Sequence, residues 1–522
     1  MKSASCLVIL ALVLLAGPSS RPFAAEPNQA LSEFLAAGDP AAAAKRIDAV
    51  LKSGPSFSDV LSALRRGRDY PAKAGRGRQS GRFGDHTYAF VVPDNYDPSR
   101  SYPVRVQLHG GISRQEPPDV SRLGIARLPG AVEEIQVFPA GWFGSSWWQA
   151  SQVDNLSRIL DKLKRTYNVD ENRVYLTGIS DGGTGVYFMA FRDTTPWASF
   201  LPLNGQMTVL ASTRAGVDGL LFPANAVNKP FFVVNGGRDP LYPAHLVAPF
   251  VEHLARLGTD VVFRVKADAG HDTNWWPQER PRFETFVDEH PRDPLPDRIT
   301  WETERVDRYN RAHWLVIDRL GATAGDADFA DSNLLRPGKA YYFGLRTDAS
   351  EDHGRRVIDV SDGSNASRLG LRRGDVLREV DGHRVADGSE VVQRMQAWAV
   401  GSEVQLKVER GGQRTLLEGR YQPEEVEMPA VPIFPRGKAS GRVDLVRRGN
   451  SVEASTRGVR AFTLLLSPSK FDFRQPVRVT ANGRVVFDRI VEPSTATLLK
   501  WAARDNDRTM LFGAEVSIEM GP

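Results

Sequence analysis

The sequence RVYLTGISDGGTGVYFMAFR, residues 173–192, is the stretch from which we interpret the fold. Apolar residues 174–176 predict a short buried strand, and residues 186–190 continue with a helical pattern. Between them lies a G-x-S-x-G motif with Ser180 at its centre. Such a turn is so tight that glycine is needed beside the serine, whose hydroxyl is pushed out over the sheet. The stretch therefore predicts a strand, a sharp turn and a helix that expose Ser180 as a candidate nucleophile.

Short apolar runs alternate with a helical pattern on both sides of this turn. This alternation favours an α/β fold, in which a mostly parallel sheet is covered by helices on both faces. The apolar runs are residues 86–92, 104–108, 134–138, 173–177, 231–234 and 261–265, and the helical pattern covers residues 154–167.

Two further residues complete a candidate catalytic triad with Ser180. Asp239 follows the strand predicted at residues 231–234, and His271 follows the one at 261–265. A serine, an acid and a histidine in this chain order, each at a strand end, suit a nucleophile, the orienter of the base and the general base. Taken singly, they could instead be a turn serine, a helix-capping aspartate and a surface histidine. Asp272 is a second candidate for the orienter, ranked below Asp239 because it does not follow a strand.

Backbone amides near Ser180 are expected to form an oxyanion hole. The strand at residues 104–108 leads into His109 and a loop of three candidate donors, and Asp181 follows the nucleophile. We expect one amide of this loop and the amide of Asp181 to stabilise the tetrahedral intermediate. The loop donors are Gly110, Gly111 and Ile112, of which the last two are preferred.

Several tryptophans follow the predicted strand ends. Loops after strand ends form the substrate pocket in open α/β sheets, so these rings could line it and favour a flat or apolar acyl group. They could equally attach the loops to the core. The candidates for substrate binding are Trp142, Trp147, Trp148, Trp275 and Trp276.

Residues 88–290 resemble the α/β-hydrolase superfamily. The resemblance is nearest to secreted esterases of the polyhydroxybutyrate depolymerase and feruloyl esterase type, and to catalytic domains of prolyl-oligopeptidase-like peptidases. It implies serine hydrolase chemistry without a metal or organic cofactor. The propeller of true prolyl oligopeptidases and the cysteines common in secreted depolymerases are both missing from the sequence. The matching stretches are residues 96–103 leading into 108–111, 172–183 and 236–240.

A second resemblance, over residues 340–421, is to PDZ domains of the bacterial periplasmic kind. Tyr342 and the next three residues match the carboxylate-binding loop, and Asn365 stands where proline is usual. The resemblance implies that a peptide C-terminus binds this loop while the peptide adds a strand to the sheet. A PDZ fold serving only as a spacer is the alternative. The candidate peptide-binding residues are Phe343, Gly344 and Leu345.

Alternating patterns before and after the PDZ-like segment predict antiparallel strands of one interrupted β-sandwich. With a helical pattern near the N-terminus and a stretch rich in glycine and arginine at residues 75–84, which we predict to be an exposed linker, they give a division of the chain. We predict a signal peptide at 1–25, a helical segment and linker at 26–84, a catalytic domain at 85–296, a split β-sandwich-like domain at 297–339 and 425–522, and a PDZ domain at 340–424.

Composition narrows the possible functions. The 522 residues carry a net charge of +4 without a long basic run, which argues against nucleic-acid binding. Cys6, the only cysteine, lies in a short apolar run typical of a cleaved signal peptide, and we found no second run of membrane-spanning length. We therefore expect a secreted or periplasmic protein without disulfides, thiol catalysis or a metal site.

The sequence thus predicts an exported serine esterase acting on a small or polymeric ester, with a PDZ domain that binds a peptide or partner. A prolyl-oligopeptidase-like serine peptidase is one alternative. A non-catalytic binding protein, in which the hydrolase domain is only a scaffold, is the other.

Overall fold

The structure is a computed structural model, which describes residues 29–123, 133–321, 331–336, 339–350, 354–385, 388–396, 398–427 and 429–521. The predicted signal peptide, residues 1–25, lies outside the described residues. None of the described helices combines the length and the apolar character needed to cross a membrane.

An eight-stranded sheet forms the centre of the molecule. Its strand order is β1-β2-β4-β3-β5-β6-β7-β8. Strand β2 is antiparallel to both of its neighbours, β1 and β4, and the six strands β3 to β8 run parallel to one another. This is the α/β-hydrolase fold, as the sequence predicts. The strands are β1 Gly77–Phe83, β2 His86–Val92, β3 Tyr102–Leu108, β4 Ile135–Pro139, β5 Val169–Ile179, β6 Phe200–Leu203, β7 Phe231–Gly236 and β8 Val261–Lys266.

Helices cover both faces of this sheet. Side chains alternate between the two faces along each strand, so both faces carry apolar residues that need cover. In β5, Val174 and Leu176 belong to the core on one face of the sheet, whereas Tyr175 belongs to the core on the other face. The N-terminal helices are α1 Gln29–Leu35, α2 Pro40–Ala44, α3 Ile47–Lys52 and α4 Phe57–Arg66; the first face carries α5 Ala150–Thr166, α6 Asp181–Arg192 and α7 Ala244–Arg256; the second carries α8 Trp276–Glu289.

The prediction that residues 75–84 are an exposed linker is wrong for most of the stretch. Strand β1 pairs with β2 from Gly77 to Phe83. At Gly81 a side chain would come within 2.3 Å of the Tyr88 ring, so this glycine marks a close approach of two strands. Half-buried and exposed residues alternate along β1, and Arg78, although exposed, donates to the carbonyls of Val120 and Leu123 at 2.6 Å each.

The segments before and after the PDZ-like region pair with each other. Strand β9 pairs with β22 and β11 with β24, so each of two sheets contains strands from both segments. Their facing residues form one core around Trp301, Leu445 and Phe462. The exact division of the chain into domains stays a prediction. The strands are β9 Arg298–Thr303, β10 Arg311–Ala312 and β11 Leu315–Leu320 before the PDZ-like region, and β22 Gly441–Arg448, β23 Ser451–Arg457, β24 Val459–Leu466, β25 Val477–Ala481, β26 Arg484–Arg489 and β27 Ala514–Glu519 after it.

The PDZ-like region is a separate small sheet with its own core. Two short strand pairs, β12 with β21 and β13 with β20, join it to the rest of the chain. The elements here are β12 Leu334–Leu335, β13 Lys339–Tyr342, β14 Leu345–Ala349, β15 Arg355–Val360, α9 Asn365–Arg368, β16 Val376–Val380, β17 His383–Arg384, α10 Gly388–Gln396, β18 Glu403–Arg410, β19 Gln413–Arg420, β20 Glu424–Glu427 and β21 Val431–Pro432.

The four N-terminal helices pack against a helix far along the chain, α11 Thr495–Asp505. Leu31, Phe34 and Val60 share one core with Leu498 and Leu499. Since α11 lies between β26 and β27 of the sandwich-like region, the N-terminal helices extend that region rather than the central sheet.

Buried ion pairs attach the sandwich-like region to the edge of the central sheet where the parallel strands begin, here called the amino edge. Arg292 donates to Asp507 Oδ2 at 2.7 Å and to Asn172 Oδ1 at 2.9 Å, and the side chains of Arg292 and Asp507 are each 1% exposed. Arg192, at the end of α6, pairs with Glu304 at 2.7 Å. The opposite edge, where the parallel strands end, is the carboxyl edge.

Candidate active site

Ser180 occupies a strained turn between β5 and α6 at the carboxyl edge. Its φ of 57° is in the left-handed region, which non-glycine residues rarely adopt. A side chain at Gly178 would lie 2.2 Å from the carbonyl oxygen of Gly182, and one at Gly182 would lie 2.2 Å from that of Leu108. Both glycines of the motif are therefore required, and the turn that the sequence predicts is present.

The structure brings Ser180, His271 and Asp239 into one hydrogen-bonded chain. His271 Nε2 lies 2.9 Å from Ser180 Oγ, and His271 Nδ1 lies 2.7 Å from Asp239 Oδ2. The other oxygen of Asp239 accepts from the amides of Leu241 and Tyr242 at 2.8 and 2.9 Å. An ionised carboxylate only accepts, so the proton of the imidazole is on Nδ1 and Nε2 is left to accept from the serine hydroxyl. This arrangement can perform nucleophilic catalysis with general-base assistance.

The loops carrying Asp239 and His271 are held together by their backbones. A side chain at Gly236 or Gly237 would come within 2.4–2.5 Å of carbonyl oxygens in residues 267–270, so the two loops touch where only glycine fits. Asp272, the alternative orienter, accepts from the amide of Asn274 at 2.9 Å. Asp239, rather than Asp272, is therefore the acid that contacts His271.

Asn204 is a supporting residue that the sequence reasoning missed. Its Oδ1 accepts from the amide of Gly236 at 3.2 Å, and its Nδ2 donates to the carbonyl of Asp272 at 2.7 Å. It thereby connects the loop before Asp239 with the loop after His271. No local sequence pattern indicates Asn204, because it follows β6, a short strand that the sequence analysis did not predict.

The predicted oxyanion loop, residues 109–112, lies against the nucleophile. A side chain at Gly110 would come within 2.8 Å of Ser180 Cβ, and Gly111 has a φ of 68°. The amide of Ile112 donates to Asp181 Oδ2 at 3.0 Å, so this predicted donor is already occupied. Asp181 is the first residue of α6, and its own amide has no partner within that helix.

His109 anchors the oxyanion loop as a neutral imidazole. Its Nδ1 donates to the carbonyl of Gly110 at 2.8 Å, and its Nε2 accepts from the amide of Gly141 at 3.0 Å. Burial lowers the pKa of His109, which favours this uncharged form. The carbonyl of His109 accepts from Trp147 Nε1 at 2.9 Å. His109 therefore joins the oxyanion loop to the loop after β4.

Most of the candidate tryptophans attach loops to the core. Trp147, Trp148 and Trp275 are buried, and the indole nitrogens of the latter two donate to the carbonyls of Ala215 and Asp272 at 2.6 and 2.7 Å. Their burial favours the alternative that these three rings attach loops to the core, and their part in substrate binding stays a prediction. Trp142 and Trp276 are half-buried, and their role in substrate binding stays a prediction.

Other apolar side chains are exposed in loops that follow strand ends. Phe143, in the loop after β4, and Leu241, two residues after Asp239, are each 61% exposed. The Tyr242 ring stands 5.7 Å from that of His271, edge to face. Phe143 and Leu241 are thus accessible and Tyr242 is half-buried, whereas Trp147, Trp148 and Trp275 are buried.

In the PDZ-like region, the predicted carboxylate-binding loop precedes an edge strand. Gly344 has a φ of 82°, and a side chain there would come within 2.1 Å of Ser364 Cβ. The Phe343 ring packs 5.6 Å from that of Trp398, and Leu345 begins β14 at the edge of the sheet. The loop geometry therefore requires glycine at 344, while peptide binding by Phe343, Gly344 and Leu345 stays a prediction.

In the described ranges, no three His, Cys, Asp or Glu side chains lie close enough together to hold a metal ion.

Parts of the chain are similar to known proteins. Residues 342–418 match the family model of the PDZ domain. A bifunctional acetylxylan esterase/xylanase from Neocallimastix patriciarum is 30% identical over 164 residues, which are 31% of this chain and 22% of that protein. The chain therefore spans about a fifth of the length of this curated relative.

Parts of solved structures also match the chain, among them a thermostable esterase, at 22% identity and a TM-score of 0.33, covering 41% of this chain and 63% of that one. A ferulic acid esterase from Anaeromyces mucronatus has 16% identity and a TM-score of 0.33, covering 41% and 90%. The fold assignment rests on the strand order described above. The chain thus combines an α/β-hydrolase fold with a PDZ domain.

Proposed function

We propose that this protein is a serine hydrolase that cleaves carboxylic esters through an acyl-enzyme on Ser180. The observation that carries the proposal is the chain of hydrogen bonds from Ser180 through His271 to Asp239, at 2.9 and 2.7 Å. Three side chains from three separate loops meet in the order and spacing that nucleophilic catalysis needs.

The reaction follows from these positions. His271 Nε2 takes the proton of the Ser180 hydroxyl as its oxygen attacks the ester carbonyl, and the new imidazolium is stabilised by Asp239. The amides of Asp181 and of Gly111 are the donors that we assign to the oxyanion. The imidazolium then protonates the departing alcohol, leaving the acyl group on Ser180. Water, deprotonated by the same histidine, hydrolyses this ester and restores the serine.

The relative with acetylxylan esterase in its name supports an ester rather than an amide as substrate. The exposed Phe143 and Leu241 side chains would suit an apolar part of that substrate. We further propose export by the signal peptide predicted at residues 1–25, which N-terminal sequencing of the secreted or periplasmic protein would test.

Peptide cleavage is the second candidate, and the PDZ domain is the observation that favours it. Strand β14 is at the edge of its sheet, next to Phe343 and Gly344, where a peptide C-terminus could add a strand. In this alternative the PDZ domain would capture the ends of substrate chains for cleavage at Ser180. Binding of a partner without cleavage is the other use such a domain could have.

The test is labelling with a fluorophosphonate probe, followed by turnover of short aryl esters and of a peptide panel. Ser180→Ala should abolish labelling and lower the ester rate by roughly 10⁶-fold. Ser99→Ala, in an exposed loop before β3, is the matched control and should behave as the wild type. Turnover of peptides alone would favour the peptidase, and a folded wild-type protein without labelling or turnover would favour a binding protein.

A further inference from the structure

We propose that Asp181 and Arg114 are positioning residues that hold the oxyanion loop beside Ser180. They do so by binding the two ends of one peptide unit, the one that joins Gly111 to Ile112. The inference rests on the proposed function, because the loop matters for catalysis only if Ser180 is the nucleophile.

The peptide unit is bonded on both sides by charged side chains. Arg114 Nε donates to the carbonyl oxygen of Gly111 at 3.1 Å, and the amide of Ile112 donates to Asp181 Oδ2 at 3.0 Å. Because the peptide group is planar, its carbonyl and amide point in opposite directions. A rotation of this unit by half a turn would therefore break both bonds and turn the carbonyl oxygen toward the carboxylate. Bonds in which one partner is charged are stronger than neutral ones, so this orientation is strongly favoured.

The loop needs such a restraint because of its composition. Gly110 and Gly111 are consecutive, and glycine has more backbone freedom than any other residue. Glycine at 110 is required by the 2.8 Å approach to Ser180 Cβ, and glycine at 111 suits its φ of 68°. The residues that permit the close approach therefore supply little stiffness of their own, and the restraint must come from neighbouring side chains.

Asp181 is well placed to supply it. The residue follows Ser180 directly, so its carboxylate connects the nucleophile turn to a loop 69 residues earlier in the chain. Among the residues that the structure describes, neither Asp181 nor Arg114 forms an ion pair, so neither charge is explained by another charged partner. Asp181 is half-buried while Arg114 is exposed, and we therefore expect the larger contribution from Asp181.

The test measures kcat and KM for a short aryl ester in Asp181→Ala, Asp181→Asn, Arg114→Ala and the double alanine variant. We expect Asp181→Ala to lower kcat by about 10- to 100-fold, with KM changed by about threefold or less, since the loop acts on the transition state. Asp181→Asn keeps an oxygen that can accept from Ile112, and it should recover kcat to within about fivefold of the wild type.

Arg114→Ala should lower kcat by about three- to tenfold. The double variant should lose less than the product of the two single losses, because both residues hold the same peptide unit. Arg238→Ala is the matched control: this arginine precedes Asp239, is exposed, pairs with Asp268 at 2.9 Å and should leave kcat unchanged.

Wild-type kcat in Asp181→Ala would overturn the inference, as would an Asp181→Asn variant as impaired as the alanine variant, or losses confined to KM. If Asp181→Ala does not fold, Arg114→Ala becomes the deciding variant, because Arg114 is exposed. An unchanged kcat in Arg114→Ala would then count against the proposal. A wild-type protein without turnover that depends on Ser180 would overturn the proposed function itself. Turnover that depends on Ser180 but is indifferent to Asp181 and Arg114 would overturn this inference alone.

Discussion

The carboxyl edge and the amino edge of the central sheet use polar side chains in opposite ways. At the carboxyl edge, Ser180, His271 and Asp239 all come from the central sheet's own loops, and the His271 ring is partly open to solvent. At the amino edge, Arg292 and Asp507 are almost completely buried and lie 215 residues apart in the chain. The first set leaves one titratable ring accessible, as acid–base chemistry needs. The second set is shielded from solvent and joins the sandwich-like region to the central sheet.

The difference lies in the partner of the buried carboxylate: His271 is 22% exposed, whereas Arg292 is 1% exposed. A buried and matched ion pair contributes little net stability, but losing one partner leaves an uncompensated charge inside the protein. In the triad, Asp239 is also buried, but its partner His271 is partly open to solvent, so Asp239→Asn leaves no cation stranded in the core. Mutations at the two edges should therefore separate activity from stability.

The largest effect should come from Asp239→Asn at the carboxyl edge. The substitution preserves the shape of the residue but removes the charge that holds the imidazole with its proton on Nδ1, so kcat should fall by about 10⁴-fold. The free energy of unfolding should change by about 1 kcal/mol or less. Aryl ester kinetics and a urea titration measure the two quantities, and a large loss of stability with kcat retained would contradict the comparison.

Asp507→Asn at the amino edge should have the opposite profile. Arg292 and Lys164, at 2.7 and 3.7 Å from Asp507 Oδ2, would be left without their counter-charge. We expect the free energy of unfolding to fall by about 3–5 kcal/mol while the folded protein keeps its kcat. A urea titration beside an ester assay tests this, with Asp488→Asn, an exposed carboxylate 3.6 Å from Arg478, as the control.

The same residue predicts a pH dependence. Burial alone would raise the pKa of Asp507, but Arg292 and Lys164 outweigh it and hold the pKa well below its ordinary value. A depressed carboxyl pKa stabilises the fold above the ordinary value of about 3.9, and this stabilisation is lost as the pH falls through the folded-state pKa. The gap in unfolding free energy between wild type and Asp507→Asn should thus narrow below about pH 4. A gap that stays constant would count against the ion pair.

The sequence predicted the carboxyl edge far better than the amino edge, for a physical reason. Ser180, Asp239 and His271 follow strands whose apolar runs are local patterns, and parallel strands bring their ends together at one edge. The contact of Arg292 with Asp507 has no local pattern, since it depends on how two distant segments pack. The pairing of the split sandwich strands was expected from alternation, but the packing of the N-terminal helices on α11 was not.

The limits of prediction at the carboxyl edge have the same origin. Tryptophans after strand ends look alike in the sequence whether they line a pocket or fill the core, and Trp147 fills it. The occupied amide of Ile112 depends on a side chain 69 residues away. Strand β1 was missed because its arginines and glycines carry no apolar run, although Tyr88 explains why a glycine stands at position 81.

The smallest effect should come from Asp193 at the amino edge. This residue follows the C-terminus of α6, where the helix dipole disfavours a negative charge, and burial raises its pKa to about 6. A raised carboxyl pKa means that the folded state holds the proton more tightly, so stability falls as the pH rises from about 4 to about 6.

Asp193→Asn should therefore raise the free energy of unfolding by about 1–2 kcal/mol at pH 8 and leave it unchanged near pH 4. Urea titrations at the two pH values measure this difference. Asp39→Asn would be a poor control because Asp39 caps a helix, so the exposed Asp488→Asn is the better choice. A stability gain at pH 8 that persisted at pH 4 would show that charge is not the cause.

The packing of the N-terminal helices on α11 has a consequence for biosynthesis. Helices α1 to α4 are translated first, but Leu498 and Leu499, which complete their core, come about 430 residues after α4 ends. At a translation rate of about 5–20 residues per second, the apolar faces of these helices would wait on the order of 20 to 90 seconds for their partner. During that interval the leading helices must stay unfolded, be covered by a chaperone or already be threaded through a translocation channel.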